Sequence, residues 1–359
     1  MTRILIALCS LTLLAGCGDG SKKPAAGGTS TPAQATASGS DLTGAGATFP
    51  YPLYSKWFSE YAAKTGVKIN YQSIGSGGGI RQLSEQTVDF GATDAPMSDA
   101  ELAKAKGGAV LHFPTVLGAV VLIYNLPGLS QPIKLDGDAI AAIFQGQITR
   151  WNDPRIASQN PGVTLPATDI LVVHRSDGSG TTYVFSDYLA AVSPAWATKP
   201  GKGKELQWPV GIGAKGNDAV AGQVKQTPGA IGYAELAYAT QNHLATAAIR
   251  HAAGEFTAPT IASATAAAAG AASKLPSGTD YRVSIVNAPG KGVYPISSFT
   301  WIIVYQKQTD AVKGKKLVDF LRWALADGQE MAASLDYAPL PESMRAGLAT
   351  RRGTIQIPQ

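Results

Sequence analysis

The chain has 359 residues, 45% of them hydrophobic and 15% charged, with 30 basic against 25 acidic residues for a formal charge of +5. That is material for one large or two medium globular bodies, each with a real core. The basic residues are scattered, the longest cluster being Lys313-Gly314-Lys315-Lys316. This argues against the basic stripe or arm of a nucleic-acid binder, while a modest positive charge suits attraction of a small anion.

At the N-terminus, Arg3 precedes an apolar run from Ile4 to Ala15, too short to span a bilayer and long enough for a signal-peptide core. It ends in Leu14-Ala15-Gly16-Cys17, which resembles the bacterial lipobox. That motif implies removal of residues 1–16 and lipidation of Cys17; an ordinary signal peptide that happens to contain a cysteine is the alternative. Cleavage there removes Cys9 and leaves Cys17 as the one cysteine, so no intramolecular disulfide can form. Residues 18–40 carry no large apolar side chain, so 17–40 is expected to be a flexible tether.

From Leu42 onward short apolar strands alternate with amphipathic helices, the pattern of an α/β protein. After Pro50, Tyr54, Trp57, Phe58 and Tyr61 share one helical face, which Gly66 closes. Val67, Ile69 and Tyr71 then alternate with polar residues as a half-buried strand, and a helix carrying Ile80 and Leu83 is expected after the glycines at 75–79. Ala119–Tyr124 reads as a buried strand, Asp138 as the cap of a short helix with Ile140, Ile143 and Phe144, and Ile170–Val173 as a strand. Phe299–Tyr305 is another strand, and Leu317, Phe320, Leu321, Ala324 and Leu325 mark a last strong helix. The Ala-, Thr- and Ser-rich stretch 245–272 is read as a surface helix or loop decoration with no assigned role.

Three loops join strands to helices and share one chemistry. They are Gly44-Ala-Gly-Ala-Thr48-Phe49-Pro50, with Thr48 or Phe49 at the cap position, Gly75-Ser76-Gly-Gly-Gly79, and Arg175-Ser-Asp177-Gly-Ser179-Gly180-Thr181. Each offers unpaired backbone N–H groups, a hydroxyl and glycines that let a ligand come close, a combination suited to oxyanions. One such loop alone is commonly a structural cap. Nucleotide motifs do not compete. No Walker loop occurs, and Gly211-Ile-Gly-Ala-Lys-Gly216, although it matches G-x-G-x-x-G, follows no clear long strand and reads as a turn into a helix starting near Asn217. His112, His174, His243 and His251 show no metal-ligand spacing, and no G-x-S-x-G elbow is present. His174, near Ser179 in sequence, is expected to serve packing.

Leu42-Thr-Gly-Ala-Gly-Ala-Thr-Phe-Pro50, Tyr71-Gln-Ser-Ile-Gly-Ser76, Val88-Asp-Phe-Gly-Ala-Thr-Asp94-Ala-Pro96, Arg175–Thr181, Pro228-Gly-Ala-Ile-Gly-Tyr233 and Leu335-Asp-Tyr-Ala-Pro-Leu-Pro341 occur in order along the chain. Together they resemble the phosphate-binding protein of the bacterial Pst-type phosphate importer. The resemblance implies a two-lobed periplasmic-binding-protein fold of type II, with two α/β lobes on a two-strand hinge. One lobe would hold residues 41–116 and 290–359, the other 117–289, with crossings near Phe113–Thr115 and Tyr294–Ile296. It implies ligand contacts from Thr48, Phe49, Ser76 and Asp94 on the first lobe and from Arg175, Ser179, Gly180 and Thr181 on the second, so that the site closes when the lobes meet. It also implies no cofactor, no metal, a monomer, and as partners inorganic phosphate and the permease and ATPase of an ABC importer, with membrane contact through the lipid anchor.

Two roles follow from chemistry beside the resemblance. Arg175 supplies a full positive charge on a planar fork suited to two phosphate oxygens, with Asp177 orienting it or serving as a turn residue. An ionised Asp94 can only accept hydrogen bonds, and near neutral pH phosphate still carries an O–H where sulfate carries none. Asp94 would therefore admit phosphate and repel sulfate or molybdate; capping the turn before Pro96 is its plainer alternative. Where the family often has a second hydroxyl after the serine matching Ser76, this chain has Gly77, and His174 stands where basic residues also occur. The competing functions are a secreted phosphoester hydrolase, a binder of another oxyanion, and a phosphate sensor or adhesin that never meets a permease.

Overall fold

The computed structural model describes residues 41–129, 131–275 and 279–359. The leader, Cys17 and the tether lie outside the described residues. In chain order the strands are β1 (Leu42–Gly46), β2 (Ile69–Ser73), β3 (Phe90–Thr93), β4 (Val110–Tyr124), β5 (Lys134–Leu135), β6 (Leu171–Arg175), β7 (Ile212–Ala214), β8 (Ala230–Glu235), β9 (Ala245–Thr246), β10 (Ala248–Arg250), β11 (Phe256–Thr257) and β12 (Ser297–Tyr305). Nine of them form one sheet ordered β2-β1-β3-β12-β4-β8-β6-β7, with β9 also on β4, while β11-β10-β5 form a small second sheet.

The large sheet has two parallel halves, β2-β1-β3 and β8-β6-β7. Two long strands join them, β12 running antiparallel to β3 and β4, and β4 running antiparallel to β8. All 15 residues of β4 are buried, as a strand covered on both faces demands, which is why it reads as a nearly continuous apolar run. Pro114 interrupts that run and has no N–H for the ladder. The register shifts there: Trp301 faces Pro114 and Thr300 faces Val116, leaving Thr115 as the extra residue of a bulge. The Thr115 hydroxyl donates to the Thr300 carbonyl at 3.1 Å and closes the gap.

The aromatic face expected after Pro50 is the buried side of helix Tyr51–Thr65, ended by Gly66 in the left-handed region at φ +80°. Tyr54, Trp57, Phe58 and Tyr61 pack among themselves and against Phe320 and Trp323 of helix Ala311–Ala324. Three local expectations shift. Pro50 itself takes the cap position ahead of Tyr51, because the Tyr51 N–H turns back to the Thr48 carbonyl first. The cap of helix Gly137–Phe144 is Asp136, which accepts the Ala139 N–H at 2.9 Å; Asp138 lies in the first turn, where its charge suits the helix dipole. Helix Ser76–Ser84 begins inside the glycine cluster instead of after it. The cluster is pressed onto the sheet: a Cβ on Gly79 would stand 2.5 Å from Gly46 Cα and 2.6 Å from the Ala45 carbonyl oxygen.

The Ala-rich stretch is not a decoration. It supplies β9, β10, β11 and helix Ile261–Gly270, whose Ala264, Ala267 and Ala268 are buried and which packs on β4 and β12. Small side chains let that helix approach the long strand pair closely, and a run of alanines carries no periodic large residue to announce it.

Candidate functional site

Each parallel half of the sheet ends in loops at its carboxyl edge, where open α/β sheets hold their ligands. From the first half, Thr48 and Phe49 follow β1, Ser76 opens the helix after β2, and Asp94 follows β3. From the second, Arg175 ends β6, Ser179 caps helix Gly180–Val192, and Asn217 lies in the first turn of helix Gly216–Gln226 after β7. These two groups face each other. A Cβ on Gly180 would stand 2.4 Å from Ser76 Oγ and 2.6 Å from Asp94 Oδ2, so the walls touch where a side chain is absent. The Gly77 N–H donates to the Gly178 carbonyl at 2.8 Å, and a Cβ at 77 would lie 3.1 Å from Gly178 Cα. Glycine in place of a hydroxyl residue there lets two backbones pass at contact distance.

All eight residues expected at the ligand are brought together and are buried. Their available groups differ from what residue type suggests. The Phe49 ring sits in the core against Tyr337, and its carbonyl accepts the Tyr337 hydroxyl at 2.7 Å, so only its backbone N–H is left for a ligand. Ser179 Oγ accepts the Thr182 N–H at 3.0 Å, and its own N–H goes to the Lys204 carbonyl. That leaves its hydroxyl proton. Ser76, Gly180 and Thr181 hold first-turn N–H groups that no carbonyl of their own helix can reach.

Arg175 is 3% exposed, and Asp177 takes its Nε at 2.7 Å and one Nη2 proton at 2.5 Å. Half of the guanidinium fork is therefore committed to Asp177 and one Nη1 proton to Thr181 Oγ1, so one Nη1 proton and the remaining Nη2 proton are what an anion can meet. Burial pushes the Asp177 carboxyl up, but the Arg175 hydrogen bonds and charge, with the Gly216 N–H, outweigh it and hold the group below the usual carboxylate range. The arginine is thus fixed and partly neutralised, which keeps a buried cation tolerable without a ligand.

Asp94 is 1% exposed. Burial raises its carboxyl to about 7, against the pull of the Thr300 hydroxyl, the Arg175 charge and the Ser76 hydroxyl. Oδ1 accepts from Thr300 Oγ1 at 2.9 Å, beside the register shift between Thr300 and Trp301, while Oδ2 faces Gly180 across the gap. Asp94 does not cap the turn before Pro96; Thr93 Oγ1 takes the Ala95 N–H there. A cleft of about 440 Å³ opens beside Asp94, lined by residues including Tyr183, Lys204, Arg282, Ser298 and Trp301. At its rim Lys204 pairs with Glu101 at 2.7 Å and Arg282 with Asp99 at 2.8 Å.

His174 stacks flat on Trp208 at 4.8 Å with Nδ1 against the Arg175 carbonyl, which agrees with a packing role. Residues that sequence reasoning missed are Thr300, Tyr233 and Asn217. Tyr233 accepts the Arg175 N–H at 3.1 Å and shares its hydroxyl with Thr182. Asn217 touches both walls, donating to Thr48 and Thr181. A polar residue directly after the final glycine of the 211–216 motif, at a helix start, was the available signal for Asn217. Nothing in the strand 299–305 marked Thr300, because its partner Asp94 lies 206 residues away and is reached only through the pairing of β12 with β3.

The chain matches the PBP superfamily domain over residues 29–327. A phosphate-binding protein PstS of Xylella fastidiosa (strain Temecula1 / ATCC 700964) is 43% identical over 347 residues, 95% of this chain and 94% of that relative. A phosphate-binding protein PstS of Pasteurella multocida (strain Pm70) is 45% identical over 304 residues, 84% of this chain and 87% of that one. Among solved structures, a phosphate-bound high-affinity periplasmic phosphate-binding protein (PfluDING) has the same fold at a TM-score of 0.67 and 21% identity, covering 89% of this chain and 99% of its own. A phosphate-binding protein of Stenotrophomonas maltophilia aligns at a TM-score of 0.66 and 21% identity over 86% and 93%. The fold is the two-lobed, type II periplasmic-binding-protein fold, and the chain belongs to the PBP superfamily, in the phosphate-binding-protein family of its PstS relatives.

Proposed function

We propose that this protein captures inorganic phosphate outside the cytoplasm and hands it to the permease and ATPase of an ABC importer. The observation that carries the reading is the polarity of the gap between the two walls: helix-start N–H groups, hydroxyls and the free side of Arg175, set against one carboxyl oxygen, Asp94 Oδ2. Such a pocket suits an anion with several acceptor oxygens and at least one proton, which near neutral pH describes phosphate and excludes sulfate. The names of the relatives at 43% and 45% identity agree with this ligand.

In this reading Thr48, Phe49, Ser76 and Asp94 belong to a lobe of residues 41–116 and 290–359, and Arg175, Ser179, Gly180 and Thr181 to a lobe of 117–289. β4 and β12 serve as the hinge, and opening it separates Gly180 from Ser76 and Asp94 to release the anion. Lipidation at Cys17 would hold a monomeric protein beside its permease. Binding without turnover is part of the proposal: among the described residues, His112 meets the Met97 N–H, and His174 and His251 meet backbone groups, so none of these three activates a hydroxyl at the gap. The test is uptake of labelled phosphate at sub-micromolar supply by cells lacking the gene. Loss of uptake that the wild-type gene restores and an Arg175→Ala gene does not supports capture and delivery. Uptake unaffected by the deletion overturns delivery.

A further inference from the structure

Asn217 is completely buried in the first turn of helix Gly216–Gln226. Its Oδ1 accepts the backbone N–H of Glu235 at 3.0 Å. An N–H can only donate, so the amide orientation is fixed and Nδ2 must face the opposite way. There it donates to Thr48 Oγ1 at 2.7 Å and to Thr181 Oγ1 at 3.1 Å, one hydroxyl from each wall of the gap.

A threonine hydroxyl has two acceptor sites and one proton. Thr48 Oγ1 also accepts the backbone N–H of Asn217 at 3.2 Å, and Thr181 Oγ1 also accepts from Arg175 Nη1 at 3.4 Å. Both acceptor sites of both hydroxyls are therefore taken. Each proton has to point elsewhere, and neither hydroxyl donates a hydrogen bond to any described residue. We propose that Asn217 is a positioning residue that makes the hydroxyls of Thr48 and Thr181 obligate donors toward the bound anion while tying the two walls together. The consequence is a sorting of the anion's own protons: unprotonated oxygens go to Thr48 and Thr181, and the P–OH is left for Asp94. This inference rests on the phosphate reading of the site.

Asn217→Asp tests it with little change of shape. One carboxylate oxygen keeps the Glu235 N–H, and the other replaces the Nδ2 donor by an acceptor, so both threonine protons turn back toward residue 217. The phosphate Kd of the purified protein is expected to rise at least about 100-fold, the scale of lost charge-assisted hydrogen bonds. Asn217→Ala is expected to cost about tenfold in the wild-type background but less than about twofold in Thr48→Val/Thr181→Val, where no hydroxyls remain to be oriented. A loss of the same factor in both backgrounds means a merely structural asparagine and overturns the inference. Should the double valine protein fail to fold, the cycle is run in Thr181→Val alone, where the Asn217→Ala cost must shrink. Wild-type protein that binds phosphate with Asn217→Asp equally tight overturns this inference alone. Wild-type protein that does not bind phosphate overturns the function proposed for the site.

Discussion

Replacing Asp94 by asparagine should convert the pocket from one that refuses sulfate to one that accepts it. Thr300 Oγ1 donates to Oδ1, so the amide oxygen keeps that position and Nδ2 takes the place of Oδ2, facing Gly180. In the wild type a sulfate oxygen would meet Oδ2 with no proton between them, in a site where Asp94 is 1% exposed. Two unscreened acceptors in that setting cost several kcal/mol, or about three decades of affinity. In Asp94→Asn that repulsion becomes a donor–acceptor contact. Calorimetric titration at pH 8, above the value of about 7 to which burial raises Asp94, keeps the wild-type carboxylate ionised. Sulfate should be silent with the wild type and bind the variant at least about 100-fold more tightly, while phosphate changes by less than about tenfold. Sulfate that stays silent with the variant, or that binds both proteins alike, refutes the role given to Asp94.

The same group predicts a pH dependence. Below about 7 the wild-type Asp94 becomes protonated and can donate, so sulfate binding should strengthen as pH falls through 7, with a flat profile in Asp94→Asn. The sign for stability follows from a folded value raised above 3.8: the contribution of Asp94 is complete below 3.8 and is lost as pH rises toward 7. The melting midpoint of ligand-free Asp94→Asn should therefore gain on the wild type between pH 4 and 8 and hold its lead above that. Gly180→Ala puts a methyl 2.4 Å from Ser76 Oγ without straining a helical backbone, so phosphate affinity should drop by more than about tenfold while the ligand-free melting midpoint stays within about 2 °C. An unchanged Kd means that the two walls need not touch for binding. Arg175→Lys keeps the charge but cannot engage Asp177 through two nitrogens and still face the anion; equilibrium dialysis should show a phosphate loss of about 10- to 100-fold, and full affinity would mean that the fork is dispensable.

The parts of this fold that were legible in the sequence are those whose signal is local. The aromatic face at Tyr54, Trp57, Phe58 and Tyr61 and the left-handed Gly66 follow from helix periodicity and chain sterics, and the structure has both. The loops bearing Thr48, Ser76 and Arg175–Thr181 announced themselves by glycines and hydroxyls between strand and helix patterns. What stayed hidden depends on pairing across the chain. Thr300 reaches Asp94, 206 residues earlier in the chain, through the pairing of β12 with β3, which no window around position 300 can reveal. Asn217 acts through residues 169 and 36 positions away. Residues 245–272 offer a surface helix as one of two readings, but the packing of helix Ile261–Gly270 on the long strands is not legible because its buried face is mostly alanine; helix Ser76–Ser84 starts within glycines that discourage a helix in isolation and allow this one against the sheet.

The most direct test of the central claim is calorimetric titration of ligand-stripped wild-type protein with phosphate and then with sulfate at pH 8. One phosphate bound per chain at micromolar affinity or tighter, with no heat from sulfate, is the predicted result. Absence of phosphate binding at those concentrations, or sulfate binding of equal strength, would contradict it.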